Sequence, residues 1–124
     1  MAGSDILVVD DDADIRSALG QVLELEGYDV AYAANGSEAW ASLQAGPPPH
    51  LVLLDLMMPV MDGAEFLRLL RGDSRLAALP VVLVSAFGSI AAAVAAAVQG
   101  QLRKPLDLDD LTGTVGRFCA PRSR

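Results

Sequence analysis

Three short apolar runs, each stopped by a polar residue, constrain this chain most: "DILVVD" at 5–10, "HLVLLD" at 50–55 and "PVVLVS" at 80–85. A run that is apolar at every position has no wet face, so each reads as a strand covered on both sides. Between them the apolar period lengthens to that of a helix. In "DIRSALGQVLELEG", Ile15, Ala18, Leu19, Val22 and Leu23 share a face, and Gly27 is a natural stop. "YDVAYA" (28–33) alternates as a strand near a sheet edge. Asn35-Gly36 predicts a turn and Ser37 an N-cap, opening a short helix with Trp40 and Leu43 inward. The prolines at 47–49 bar regular structure from the linker at 46–49. "LMMPVMDG" then reads as loop, "AEFLRLLRG" as an amphipathic helix, 89–98 as an alanine-rich helix and 101–103 as a short fifth strand. Asp107 is expected to cap a last helix with Leu108, Leu111, Val115 and Phe118 on one face, weakened by Gly113 and Gly116.

Five β–α units in succession imply an α/β fold. The expected architecture is a five-stranded parallel sheet in the flavodoxin-like order 2-1-3-4-5, with helices on both faces. The 124 residues suit one domain, its core at about 4–119 and a tail at 120–124. A net charge of −7 with no basic stripe argues against nucleic acid as a partner of this segment. No apolar stretch reaches the length of a membrane span without Pro or Gly, and "MAGSDILVV" lacks the pattern of a secretory leader. Cys119, the only cysteine, cannot form an internal disulfide and reads as a small packed hydrophobe. A cytoplasmic location is the expectation.

In such a sheet, sites form beyond the carboxyl ends of the strands. Strand 1 ends at Asp10 and Asp11, strand 3 at Asp55, strand 4 at Ser85 and strand 5 at Lys104. The expected order makes those strands consecutive neighbours, about 4.8 Å apart. Three carboxylates so close repel one another, and a hard divalent cation relieves the repulsion. Oxygen-only ligands suit Mg2+, and no His or Cys lies near enough in these motifs to argue for zinc. A carboxylate can attack phosphorus and give an aspartyl phosphate. A metal and a lysine would neutralise the transferred oxygens, and a hydroxyl could donate to one.

The stretches "VVDD" (8–11), "LLDLMMPVMDG" (53–63), "VLVSA" (82–86) and "RKP" (103–105) together span nearly the whole chain. In that order and at those strand ends, the chain resembles a response-regulator receiver domain of two-component signalling, similar to chemotaxis receivers. The resemblance implies that Asp55 accepts the phosphoryl group. It implies that Asp11 and Asp55 bind Mg2+ directly with the backbone carbonyl of Met57, and that Asp10 reaches the ion largely through water. Ser85 matches the switch hydroxyl and Lys104 the phosphate-pairing lysine, with a cis bond to Pro105 common in the family. The implied donor is a sensor histidine kinase or a histidine phosphotransfer protein. The implied output is a changed surface around the fourth helix, fifth strand and fifth helix. Such a domain is a signalling module, not an enzyme, and catalyses only its own phosphoryl transfer and dephosphorylation.

Two features depart from the family pattern. Where receivers usually carry Tyr or Phe, three residues before the lysine, this chain has Gln101. From Leu76 through Leu102 no side chain ionises. In the 89–98 helix only Ile90, Val94, Ala97 and Val98 are needed for a core face. The remaining alanine face is expected to meet an effector or a second copy of the chain. Asp12 is expected to cap a helix rather than bind metal. Trp40 is expected against the sheet flank and His50 in an exposed loop, while Pro59, Asp62 and Gly63 are read as loop architecture. Phe87 and Met57 are expected to flank the cleft mouth and slow attack by water. Two other readings stand beside this one. A dehalogenase-type hydrolase would use Asp10 and Asp12, but that pattern wants Thr or Val where Asp14 stands. A receiver-like binding module not controlled by phosphorylation would leave the acids as scaffold. The chain is read either as a free-standing receiver or as the receiver portion of a longer protein.

Overall fold

The computed structural model of the chain describes residues 4–55, 63–85, 94, 96–104 and 106–119. Met57, Pro59, Asp62, Phe87, Pro105 and most of the expected 89–98 helix lie outside those residues. The described elements run β1 (Ile6–Val9), α1 (Ala13–Leu25), β2 (Val30–Ala33), α2 (Gly36–Ala45), β3 (Leu51–Asp55), α3 (Gly63–Gly72), β4 (Val81–Ser85), β5 (Gly100–Arg103) and α4 (Leu108–Gly116). The five strands form one parallel sheet in the order β2-β1-β3-β4-β5, as the alternation of apolar runs predicts.

The three central strands are buried at every position, and the edge strands β2 and β5 are not. Side-chain alternation divides the core into two layers. Leu7, Val9, Val52, Leu54, Val81 and Leu83 face Leu43 of α2 and Phe66, Leu67 and Leu70 of α3. Ile6, Val8, Leu51, Leu53, Val82 and Val84 face Leu19 and Leu23 of α1 and Leu111 and Val115 of α4. Val94, Ala97 and Val98 pack on the first layer, as expected for the inner face of the 89–98 segment, and Trp40 packs against the same layer.

The helix ends show how local chemistry sets the frame. Asp12 caps α1, its carboxylate accepting from the N–H groups of Asp14 and Ile15. At the other end Gly27 takes φ 98°, and the N–H groups of Gly27 and Tyr28 donate to the carbonyls of Glu24 and Leu23. This reversal needs a residue without a Cβ, which is why α1 stops there. Asp107 caps α4 through Asp109 and Asp110.

Three local expectations need correction. The N-cap of α2 is Asn35, whose side chain accepts from Glu38 N at 2.8 Å, while Ser37 sits exposed inside the first turn. In α1, Ala18 is exposed and Gly20 is buried. A Cβ on Gly20 would overlap the hydroxyl end of the Tyr32 ring, so α1 turns a bare backbone face toward β2. Leu108, at the first position of α4, is 59% exposed rather than part of its inner face.

The sheet's opposite end is tied by Asp5. Its buried carboxylate accepts from Asp29 N at 2.9 Å, and its carbonyl accepts from the N–H groups of His50 and Leu51. The His50 imidazole is exposed, with Nδ1 3.7 Å from Asp5 Oδ1. No described helix is long and apolar enough to cross a membrane.

Candidate functional site

Strand register assembles the site. Val9 lies opposite Leu54, so one residue further Asp10 comes alongside Asp55 at the tip of β3. Asp55 is paired with Val84, which puts Ser85 one step beyond, and Ser85 is paired with Arg103. The ladder continues past β5, where Lys104 N donates to the Ser85 carbonyl at 2.8 Å. On the other flank Asp10 N donates to the Ala33 carbonyl at 3.1 Å. Four distant segments are thereby delivered to one rim by backbone pairing alone.

The acids differ sharply in environment. Asp10 is 1% and Asp55 8% exposed, Ser85 is buried, and Asp11 is open to solvent. One carboxylate oxygen from each of Asp10, Asp11 and Asp55 lies within 4.8 Å of the other two. Lys104 is the cation that faces them, its Nζ 3.5 Å from Asp10 Oδ2 and 4.0 Å from Asp55 Oδ2. The other oxygen of Asp10 accepts from Asp12 N at 2.9 Å. Arg16 Nη1 donates to the Asp10 carbonyl at 2.8 Å, a contact sequence reasoning missed. Its only signal is an arginine in the first turns of a helix that follows an acidic strand tip.

The aspartate triplet therefore splits. Asp10 and Asp11 turn into the rim, and Asp12 turns away to cap α1. Gln101 stands on β5 opposite Leu83, exposed and outside the acid cluster. Three carboxylates facing one ammonium leave an excess of negative charge in a partly buried place. The donor set is all oxygen, with two buried members and one exposed, and it could hold a metal ion. Such a set fits a hard cation that keeps some of its waters, as Mg2+ does.

Comparison with known proteins identifies the family. The family model described as "Response regulator receiver domain" matches residues 6–116. The DNA-binding transcriptional regulator NtrC of Rhizobium meliloti is 39% identical over 127 aligned residues, which cover all of this chain and 26% of that protein. Response regulator Rre1 of Synechocystis is 40% identical over 119 residues, 93% of this chain and 51% of that one. The chain thus spans about half or less of the length of these relatives. Among solved structures, the chemotaxis response regulator CheY4 of Vibrio cholerae superposes with a TM-score of 0.85 at 30% identity, covering 95% of this chain and 100% of that one. By family match, relatives and fold, the chain belongs to the response regulator receiver domains, the signalling modules of two-component systems.

Proposed function

We propose that residues 1–124 act as one receiver domain, which accepts a phosphoryl group on Asp55 from the phosphohistidine of a sensor kinase or a histidine phosphotransfer protein. The observation that carries the reading is the convergence of three carboxylates and the chain's only lysine at one rim. Asp10, Asp11, Asp55 and the backbone carbonyl of Met57 would hold Mg2+, which when bound offsets negative charge on the transferred group. A carboxylate oxygen of Asp55 forms the new bond to phosphorus as the bond from phosphorus to the donor imidazole breaks. The imidazole leaves with the electron pair. Lys104 pairs with an oxygen of the transferred group, and the Ser85 hydroxyl donates to another. Asp10 is held at the rim by the Asp12 N–H, which donates to its carboxylate, and by Arg16, which donates to its backbone carbonyl. Water attack on the acyl phosphate resets the domain.

The output surface proposed is the 89–98 segment with β5 and α4, in a cytoplasmic setting. The NtrC relative is named as a DNA-binding regulator. An output of that kind would belong to chain outside this segment, whose charge of −7 repels duplex nucleic acid.

Incubation with Mg2+ and a small acyl-phosphate donor, followed by mass spectrometry of the peptides, tests the proposal. One phosphoryl group on Asp55, absent without Mg2+ and absent in Asp55→Asn, is expected. Modification that survives Asp55→Asn would overturn it. A second reading, a receiver-like binding module not controlled by phosphorylation, draws on Gln101, which is exposed where receivers usually carry an aromatic. An intact acid rim that takes no phosphoryl group from any donor favours that reading.

A further inference from the structure

Arg71, at the end of α3, spends all five of its N–H donors on the uncharged stretch that follows. Nε and Nη2 reach the Ala97 carbonyl at 2.9 and 2.6 Å. Nη1 reaches the carbonyls of Leu79 at 2.8 Å and Ala77 at 3.1 Å. Nη2 also reaches Gln99 Oε1 at 3.0 Å. Burial lowers the affinity of this guanidinium for its proton, in keeping with its place between elements. Gln99 in turn brackets the first residue of β4: its Oε1 accepts from Val81 N at 2.8 Å, and its N–H donates to the Val81 carbonyl at 2.9 Å.

The strand that begins next to this clamp is β5, which carries Lys104 to the acids. β5 has four residues, lies at the sheet edge, starts with a glycine and buries only Leu102. Its side chains specify register weakly. A slip of one residue moves a strand by about 3.3 Å, enough to remove Lys104 Nζ from carboxylates 3.5 and 4.0 Å away.

We propose that Arg71, acting through Ala97 and Gln99, is a positioning residue that holds β5 in register and so places Lys104 against Asp10 and Asp55. The inference rests on the reading of Lys104 as the cation that pairs with the phosphoryl group. Arg71 lies at the start of β4 and β5, and Lys104 follows the far end of β5, at the rim where β1 and β3 present the acids. Lysine cannot replace Arg71, because its donors radiate from one atom and cannot bridge the 77–79 and 97–99 segments at once.

The chain's single lysine makes the test selective, since an amine-directed acylating reagent can modify only Lys104 and the α-amino group. Acylation of Lys104, followed by mass spectrometry against the α-amino group as internal reference, is expected to be about tenfold faster in Arg71→Met, in Arg71→Lys and in Gln99→Met. Leu23→Ala, a core variant in α1, which packs on β1 and β2, serves as the control for general loosening, and its Lys104 rate is expected to match wild type. A Lys104 rate equal to wild type in a cooperatively folded Arg71→Met or Gln99→Met overturns the proposal. So does an equal acceleration in Leu23→Ala. In the phosphoryl assay, Arg71→Met is expected to slow Asp55 modification in the wild-type background and to add nothing in a Lys104→Met background. Additive losses contradict the coupling. If wild type takes no phosphoryl group, the functional reading fails while the acylation rates still decide the role of Arg71.

Discussion

The Lys104 ammonium stands 3.5 Å from a carboxylate oxygen of Asp10, although 94 positions separate them in the chain. The same ammonium lies 4.0 Å from Asp55. It therefore has two opposed effects on the rim. A positive charge there would attract an anionic phosphoryl group and repel a divalent cation.

Lys104→Met separates those effects. Asp55 modification by an acyl-phosphate donor is expected to slow by about a hundredfold, the scale of losing one fixed stabiliser of developing charge. Mg2+ binding is expected to tighten by a few-fold, because a positive charge near the ion has gone. The phosphorylation rate and a calorimetric Mg2+ titration read the two changes, and a loss of both would mean that the lysine holds the acids together.

Asp12→Ala removes the cap of α1 and leaves the rim acids in place. Its carboxylate serves two N–H groups, at 2.9 and 3.2 Å. The urea midpoint should fall by the equivalent of about 1 kcal/mol. Mg2+ affinity should change little. A large loss of affinity would move Asp12 into the metal shell.

Burial, with the charge of Asp5 added, pushes the Cys119 thiol from its ordinary value of 9.0 up to about 11. Between those values the folded chain keeps a proton that the unfolded chain releases. Stability from this source is therefore present below about pH 9 and is lost as pH rises toward 11. Urea midpoints measured across that window should fall more steeply in wild type than in Cys119→Ala, whose other groups titrate alike. Parallel curves would contradict the assignment. Alkylation of the thiol should be slow in the folded protein and fast in urea.

The parts of the fold that were legible in the sequence share a physical cause. β1, β3 and β4 are buried on both faces, so their apolar runs announced themselves, and the polar residue ending each run marked the rim. Asp10, Asp55, Ser85 and Lys104 could be placed because register in a parallel sheet carries strand ends to one side. Arg71 could not, since four of its five hydrogen bonds go to backbone carbonyls up to 26 positions away, and carbonyls have no letter in a sequence. Gly20 was hidden for a related reason. Its burial under Tyr32 depends on a side chain from the neighbouring strand, and an apolar period counts a glycine as nothing. The α2 cap went to Asn35 rather than Ser37 because extended backbone at 35 lets the amide oxygen reach Glu38 N. Propensity ranks both residues as good caps and does not choose between them.

Magnesium titration of the wild-type chain and of Asp55→Asn tests most directly whether these three carboxylates gather around a cation. The expected result is one site in wild type, weakened by about tenfold or more when one carboxylate charge is removed. A wild-type chain whose rim is indifferent to magnesium, or an Asp55→Asn variant that binds it as well as wild type, would contradict the site.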